Sequence, residues 1–196
     1  WVPEGRHEGE HGVMRSPAMR LMGVEAVAMG LSMGFVTIGI PALATEQGRQ
    51  STTGWLMAAG GLGAILGTMW AGSRGHRVAP ATGLRMSTLL YAIALLPLPF
   101  LPIGPAMFVV LIVAYAFLGP AHVYYLETID IVRPRGTAVA ALGSLWMIEG
   151  AATGLANALG GSVAENWGPH VTLTLGCLCV IGSPLVLTIG LRSVLR

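Results

Sequence analysis

Six apolar runs follow one another along this chain, near 18–43, 52–73, 79–102, 105–126, 137–164 and 170–192. Each is about as long as a helix must be to cross the ~30 Å hydrocarbon core of a bilayer. In lipid, every backbone N–H and C=O has to be paired within the chain, which leaves only helices or closed barrels. These runs are too long for barrel strands and do not alternate. Charged residues make up 10% of the chain, against about 25% in an ordinary soluble domain, too few to cover a surface facing water. The expected fold is an all-α integral membrane bundle of six helices, with the lipid bilayer as its solvent.

The connections carry turn residues: EQGRQS (46–51), SRGHRVAP (73–80), LPIGP (101–105), ETIDIVRPRG (127–136) and ENWGPH (165–170). Every basic side chain other than histidine is Arg. With the N-terminus inside, Arg6, Arg15, Arg20, Arg74, Arg77, Arg85, Arg133, Arg135, Arg192 and Arg196 fall on the inner side and Arg49 alone on the outer. By the positive-inside rule the chain is a multi-pass protein of the cytoplasmic membrane with both termini cytoplasmic. Residues 1–17, WVPEGRHEGEHGVMRSP, are polar and have no apolar core, so they are neither a signal nor a transit peptide. They read as a cytoplasmic linker leading into a six-helix bundle over 18–196, and the chain as a fragment or the back half of something longer.

Several classes of function drop out. The net charge is +2 and no basic run is interleaved with aromatics, so no nucleic acid is expected. Cys177 and Cys179 are two positions apart on one helix and point in different directions, so they cannot pair. The sequence has no HExxH, no paired-acid motif and no phosphate loop, and Ser144 lies in L-G-S-L. Catalytic residues, metal ligands and cofactors are therefore not expected, and the chain does not read as an enzyme.

What draws attention is ionisable chemistry at membrane depth. Glu149 is the lone acid of the fifth run. An acid there costs roughly 2.5–3.5 kcal/mol on insertion scales and marks a functional-site hypothesis by default. At 3.6 residues per turn, Trp146, Glu149, Thr153, Asn157 and Gly160 share one arc, which must face protein or a water-filled cavity. Glu149 could carry a proton, bind a cationic or polar solute, or make a structural hydrogen bond. In the first run Glu25 shares a face with Met29, Ser32, Val36 and Gly39. It could line a cavity, reach back to the cytoplasmic surface, or pair with Arg20 or Arg85. In the fourth run Tyr115, His122 and Tyr125 lie along one side, with Gly119-Pro120 between them expected to bend the helix. His122 could serve a proton relay or make a plain hydrogen bond. Glu127, Asp130, Arg133 and Arg135 crowd one cytoplasmic loop, and Arg74 and Arg77 another. They form either an ionic gate or a solvated rim.

An internal repeat is also expected. GGLGAILG (60–67) and GAATGLANALGG (150–161) each sit in the middle run of a triplet, with Gly63 and Gly67, and Gly150 and Gly154, four residues apart. Small residues at that spacing let helix backbones approach closely. Two triplets related by inversion form the three-plus-three pattern of secondary transporters.

Three stretches carry a family likeness. VRPRGTAVAALGSL followed by GAATGLANALGGSVAENWG is similar to the R-G-x-A opening and Gly-rich close of an eleventh transporter helix. GIPAL (39–43) is similar to the close of a seventh. GAILGTMWAGSRGHR (63–77) is similar to the loop G-x-x-x-D-R-x-G-R-R, with Gly75, His76 and Arg77 in its closing positions, Thr68 in the leading Gly position and Gly72 in the acidic one. On these the chain resembles the C-terminal six-helix half of a major facilitator superfamily transporter over residues 15–196. The resemblance implies a partner: an N-terminal six-helix half of the same transporter or a second copy. It also implies a small-molecule substrate moved by alternating access. Proton-coupled efflux of an amphipathic solute is the first expectation, through Glu149, Glu25, His122, Asn157, Tyr115 and Trp146. A metabolite uptake permease and a non-transporting scaffold or regulatory half-module are the alternatives.

Overall fold

The computed structural model of the chain describes residues 13–73 and 78–194. Six α-helices account for almost all of them: α1 (Pro17–Glu46), α2 (Thr53–Ser73), α3 (Pro80–Leu95), α4 (Pro105–Val132), α5 (Ala138–Trp167) and α6 (Pro169–Val194). Four open with proline in the first turn, where the missing N–H costs nothing and the fixed φ suits a helix. The α5–α6 corner turns at Gly168, whose φ of 88° is strained for any residue with a Cβ. Five of the spans are long and apolar enough to cross a membrane; α6 is apolar over Pro169–Pro184.

The third span stops earlier than the apolar run suggests. α3 ends at Leu95, and the chain continues as a single 3-10 turn over Leu98–Phe100. Pro97 and Pro99 explain this, since neither can donate a helical N–H.

The helices associate as two pairs. α1 lies along α5, and α2 along α4; α1 also packs on α6, α4 on α3, and α3 meets α6. At the α2–α4 contact, a Cβ on Gly63 or Gly67 would collide with the backbone carbonyls of Ile112 and Ala116. At the α1–α5 contact a Cβ on Gly30 would meet the carbonyl of Glu149, and one on Gly34 would come within 2.6 Å of the carbonyl of Thr153. Such approaches suit small residues in lipid, where dispersion rather than water exclusion holds helices together.

The repeat's glycines therefore divide. Gly63 and Gly67 sit at the seam as expected. Gly150 and Gly154 do not, for a Cβ on either would meet open space. On α5 it is Ala152 and Ala156 that pack against Gly30 and Gly34.

Around the seams is an apolar interior. One cluster unites Ile40, Leu43, Leu56, Leu95, Met107 and Leu111; a second holds Met19, Met22, Leu84, Ile129 and Leu145. The outside is apolar too: Val139 is 87% exposed, Met147 76% and Met69 67%. Beside water such a surface would be an aggregation liability, whereas beside hydrocarbon it is the required solvent contact. At the end of the bundle where α1 finishes, Arg49 donates to the carbonyl of Ile103 at 2.6 Å, and Gln47 accepts from the Ile103 N–H at 2.9 Å. Two connections are thereby tied together.

Candidate functional site

α1, α4 and α5 bring their ionisable residues to one place. Glu25 lies eight residues beyond the start of α1, His122 ten before the end of α4 and Glu149 eleven beyond the start of α5. At 1.5 Å per residue these are about 12 to 17 Å from the same end of the bundle.

His122 Nε2 stands 3.5 Å from Glu149 Oε1, with 41% of the histidine side chain and 21% of the glutamate exposed. The other ring nitrogen, Nδ1, lies 3.2 Å from the carbonyl of Leu118. A carbonyl can only accept, so Nδ1 carries hydrogen there. That leaves Nε2 facing the Glu149 carboxyl, an ion pair whenever the ring is protonated. His122 also follows Pro120 by two residues. Proline has no N–H to offer the carbonyl of Ala116, so α4 lacks a rung just before the histidine.

Glu25 neither reaches the surface nor pairs with Arg20 or Arg85. It is 2% exposed and accepts a hydrogen bond at Oε2 from the hydroxyl of Ser183 on α6. Its other oxygen, Oε1, is buried and has no hydrogen-bond partner. Arg20 instead donates to the carbonyl of Met14 at 3.0 Å. Ser183 went unrecognised in the sequence. The available signal was a serine set in an apolar run and directly preceding Pro184.

Two spaces that share His122, Tyr125 and Glu149 in their walls adjoin these groups. A small chamber of about 10 Å³ is bounded by Glu25, Leu84, His122, Tyr125 and Glu149, room for roughly one water. The second is a cleft of about 490 Å³ walled by His122, Tyr125, Trp146, Glu149, Thr153 and Asn157, with Met33 and Leu126 beside them. Trp146, 64% exposed, stands on its outer edge. Tyr125 donates its hydroxyl proton to the carbonyl of Met22 at 3.1 Å, joining α4 to α1. Thr153 donates to the carbonyl of Glu149 at 2.9 Å. Asn157 Oδ1 is buried without a hydrogen-bond partner.

Tyr115 does not join this group. It packs edge-on against Tyr91, ring centroids 6.2 Å apart and 88° between planes, and covers Gly60 of α2. Seven residues separate it from His122, about 10 Å along the axis, and the two meet different neighbours.

At the rim, Arg133 contacts Asp130 through both Nε at 2.8 Å and a terminal nitrogen at 2.7 Å. This pair lies at one end of α4 and joins no second helix. Glu127 and Arg135 have no ion pair among the described residues, and Arg74 and Arg77 lie outside them. No group of three or more metal-ligating side chains occurs among the described residues. No protein-family profile, curated protein or solved structure matches this chain.

Proposed function

We propose that this chain is one six-helix half of a secondary transporter, of the major facilitator kind that its sequence resembles, and that it helps move a small organic solute across a membrane against a flow of protons. The observation that carries the reading is the His122–Glu149 pair on the wall of the 490 Å³ cleft, with Glu25 beside it, about 12 to 17 Å from one end of the bundle. A bundle coated in apolar side chains does not retain three ionisable groups at that depth cheaply. A histidine facing an acid beside a solute-sized space is suited to linking protonation to occupancy.

The helix pairing supports the three-plus-three reading. Exchanging α1 with α4, α2 with α5 and α3 with α6 turns the α1–α5 contact into α4–α2, and α1–α6 into α4–α3. Two triplets of one design, inverted in the membrane, would pack this way. The open side of the cleft, along Trp146, Gly150 and Gly154, is where a second bundle would close it, whether the N-terminal half of the same transporter or a second copy. Rocking of one bundle against the other would expose the site to each side in turn. The Asp130–Arg133 end of α4, with Glu127, Arg135, Arg74 and Arg77, would form the cytoplasmic rim of that motion. Both termini would then be cytoplasmic.

The test is transport by the full-length protein in proteoliposomes under an imposed pH gradient, read against a panel of organic solutes. Glu149→Gln keeps the size and removes the titratable group, so gradient-driven movement should vanish. Movement at the unsubstituted rate would remove Glu149 from the mechanism.

A further inference from the structure

The cleft has a chemical sign that its lining residues do not announce by type. Its hydroxyls have committed their protons inward: Tyr125 to the carbonyl of Met22 and Thr153 to that of Glu149. His122 has done the same with Nδ1. What these side chains still offer is lone pairs. Asn157 adds a buried, unpartnered carbonyl oxygen, and the Glu149 carboxylate stands among them. The side-chain donors left are the Asn157 amide, the Trp146 indole N–H and a protonated His122 Nε2. Beyond the cleft, in the small chamber, Glu25 presents a second unpartnered acceptor from a residue 2% exposed.

Buried acceptors without donors are costly, the more so when charged. A ligand that met them would bring several N–H donors and positive charge. The chamber sets the size of its head, since it admits one water-sized group. A primary ammonium is of that size and donates three hydrogen bonds. Trp146, Met33 and Leu126 offer an apolar and aromatic wall for the remainder of the molecule, and the ring face of Trp146 favours a cation nearby.

We infer that the site takes a primary organic amine in its cationic form, with the ammonium head between Glu25 and Glu149 and the apolar body in the cleft against Trp146. The inference deepens the transporter reading and rests on it for the ligand's passage. Binding alone tests the chemistry.

The test is calorimetric titration of the full-length protein in lipid nanodiscs at neutral pH, with empty nanodiscs as the blank. The probes are hexylammonium, hexyltrimethylammonium and 1-hexanol. Hexylammonium should bind saturably. Its trimethyl analogue has charge without N–H donors and a head too large for the chamber, so it should bind about tenfold or more weakly. Hexanol should show partitioning only. Glu25→Gln and Glu149→Gln should each weaken hexylammonium about tenfold or more. Glu149 is partly exposed, so its variant keeps the test valid should the Glu25 variant fail to fold. Equal binding of hexanol or of the trimethyl cation, or no saturable binding of hexylammonium, overturns the inference. Amine binding without gradient-driven transport overturns the transporter reading alone. Transport of neutral or anionic solutes without amine binding overturns this inference alone.

Discussion

Along the α2–α4 seam, Gly63 and Gly67 press on the carbonyls of Ile112 and Ala116. Along the α1–α5 seam, Gly30 and Gly34 press on those of Glu149 and Thr153. The device is the same in both: two glycines four residues apart, laid on two partner carbonyls four residues apart. The surroundings differ. α4 returns the contact with Gly119, on which a Cβ would collide with the carbonyl of Ala64, so the α2–α4 pair interlocks from both sides. α5 contributes Ala152 and Ala156 to its seam and leaves Gly150 and Gly154 on the cleft. One seam is locked by glycines from both helices, and the other borders open space containing Glu149, His122 and Asn157. Close helix contact and a polar site are thus independent features of one scaffold. The glycines fix how near two backbones come, and the neighbouring arc decides whether chemistry sits there.

If the seams are equivalent as packing, bulky substitutions should damage them equally. Gly67→Val and Gly34→Val should each cost about 3 kcal/mol, at the upper end for overpacking, because backbone rather than a flexible side chain has to move. Unfolding in a detergent titration would read this. A much smaller loss at Gly34 would mean that the cleft lets its seam give way. Ser183→Ala comes next, at about 1–3 kcal/mol, since it strips Glu25 of its one hydrogen bond; an unchanged midpoint would show another donor reaching the carboxyl. Least affected should be Gly154→Ala, within about 0.5 kcal/mol, because its new methyl meets nothing. A loss as large as that of Gly34→Val would mean that a second surface already covers the cleft.

The helices were legible because the solvent imposes them: a run of apolar residues long enough to cross lipid has few alternatives to α-helix. The early stop of α3 was written in Pro97 and Pro99 but was hidden by their apolar surroundings. Glu149, His122 and Glu25 could be picked out singly, as ionisable residues inside apolar runs. Their meeting could not, because which helix faces touch depends on packing between distant segments. α5 shows the difficulty most clearly. Gly150 and Gly154, and Ala152 and Ala156, are two small-residue rows at the same spacing, and helical geometry fits either to a seam. The glycine row is the expected contact; the alanine row makes it instead because α1 presents Gly30 and Gly34 to it. Tyr115 erred in another way: its angular position matched His122, but its height along α4 brought it to Tyr91.

The pairing of α4 with α2 and of α5 with α1 has a consequence for the ion pair. His122 rides on the first pair and Glu149 on the second, so the 3.5 Å between them spans the joint rather than either leaf. If the leaves slide or pivot, that gap is a natural place for the displacement to register, and the ion pair across it would feel the change without any helix having to unwind.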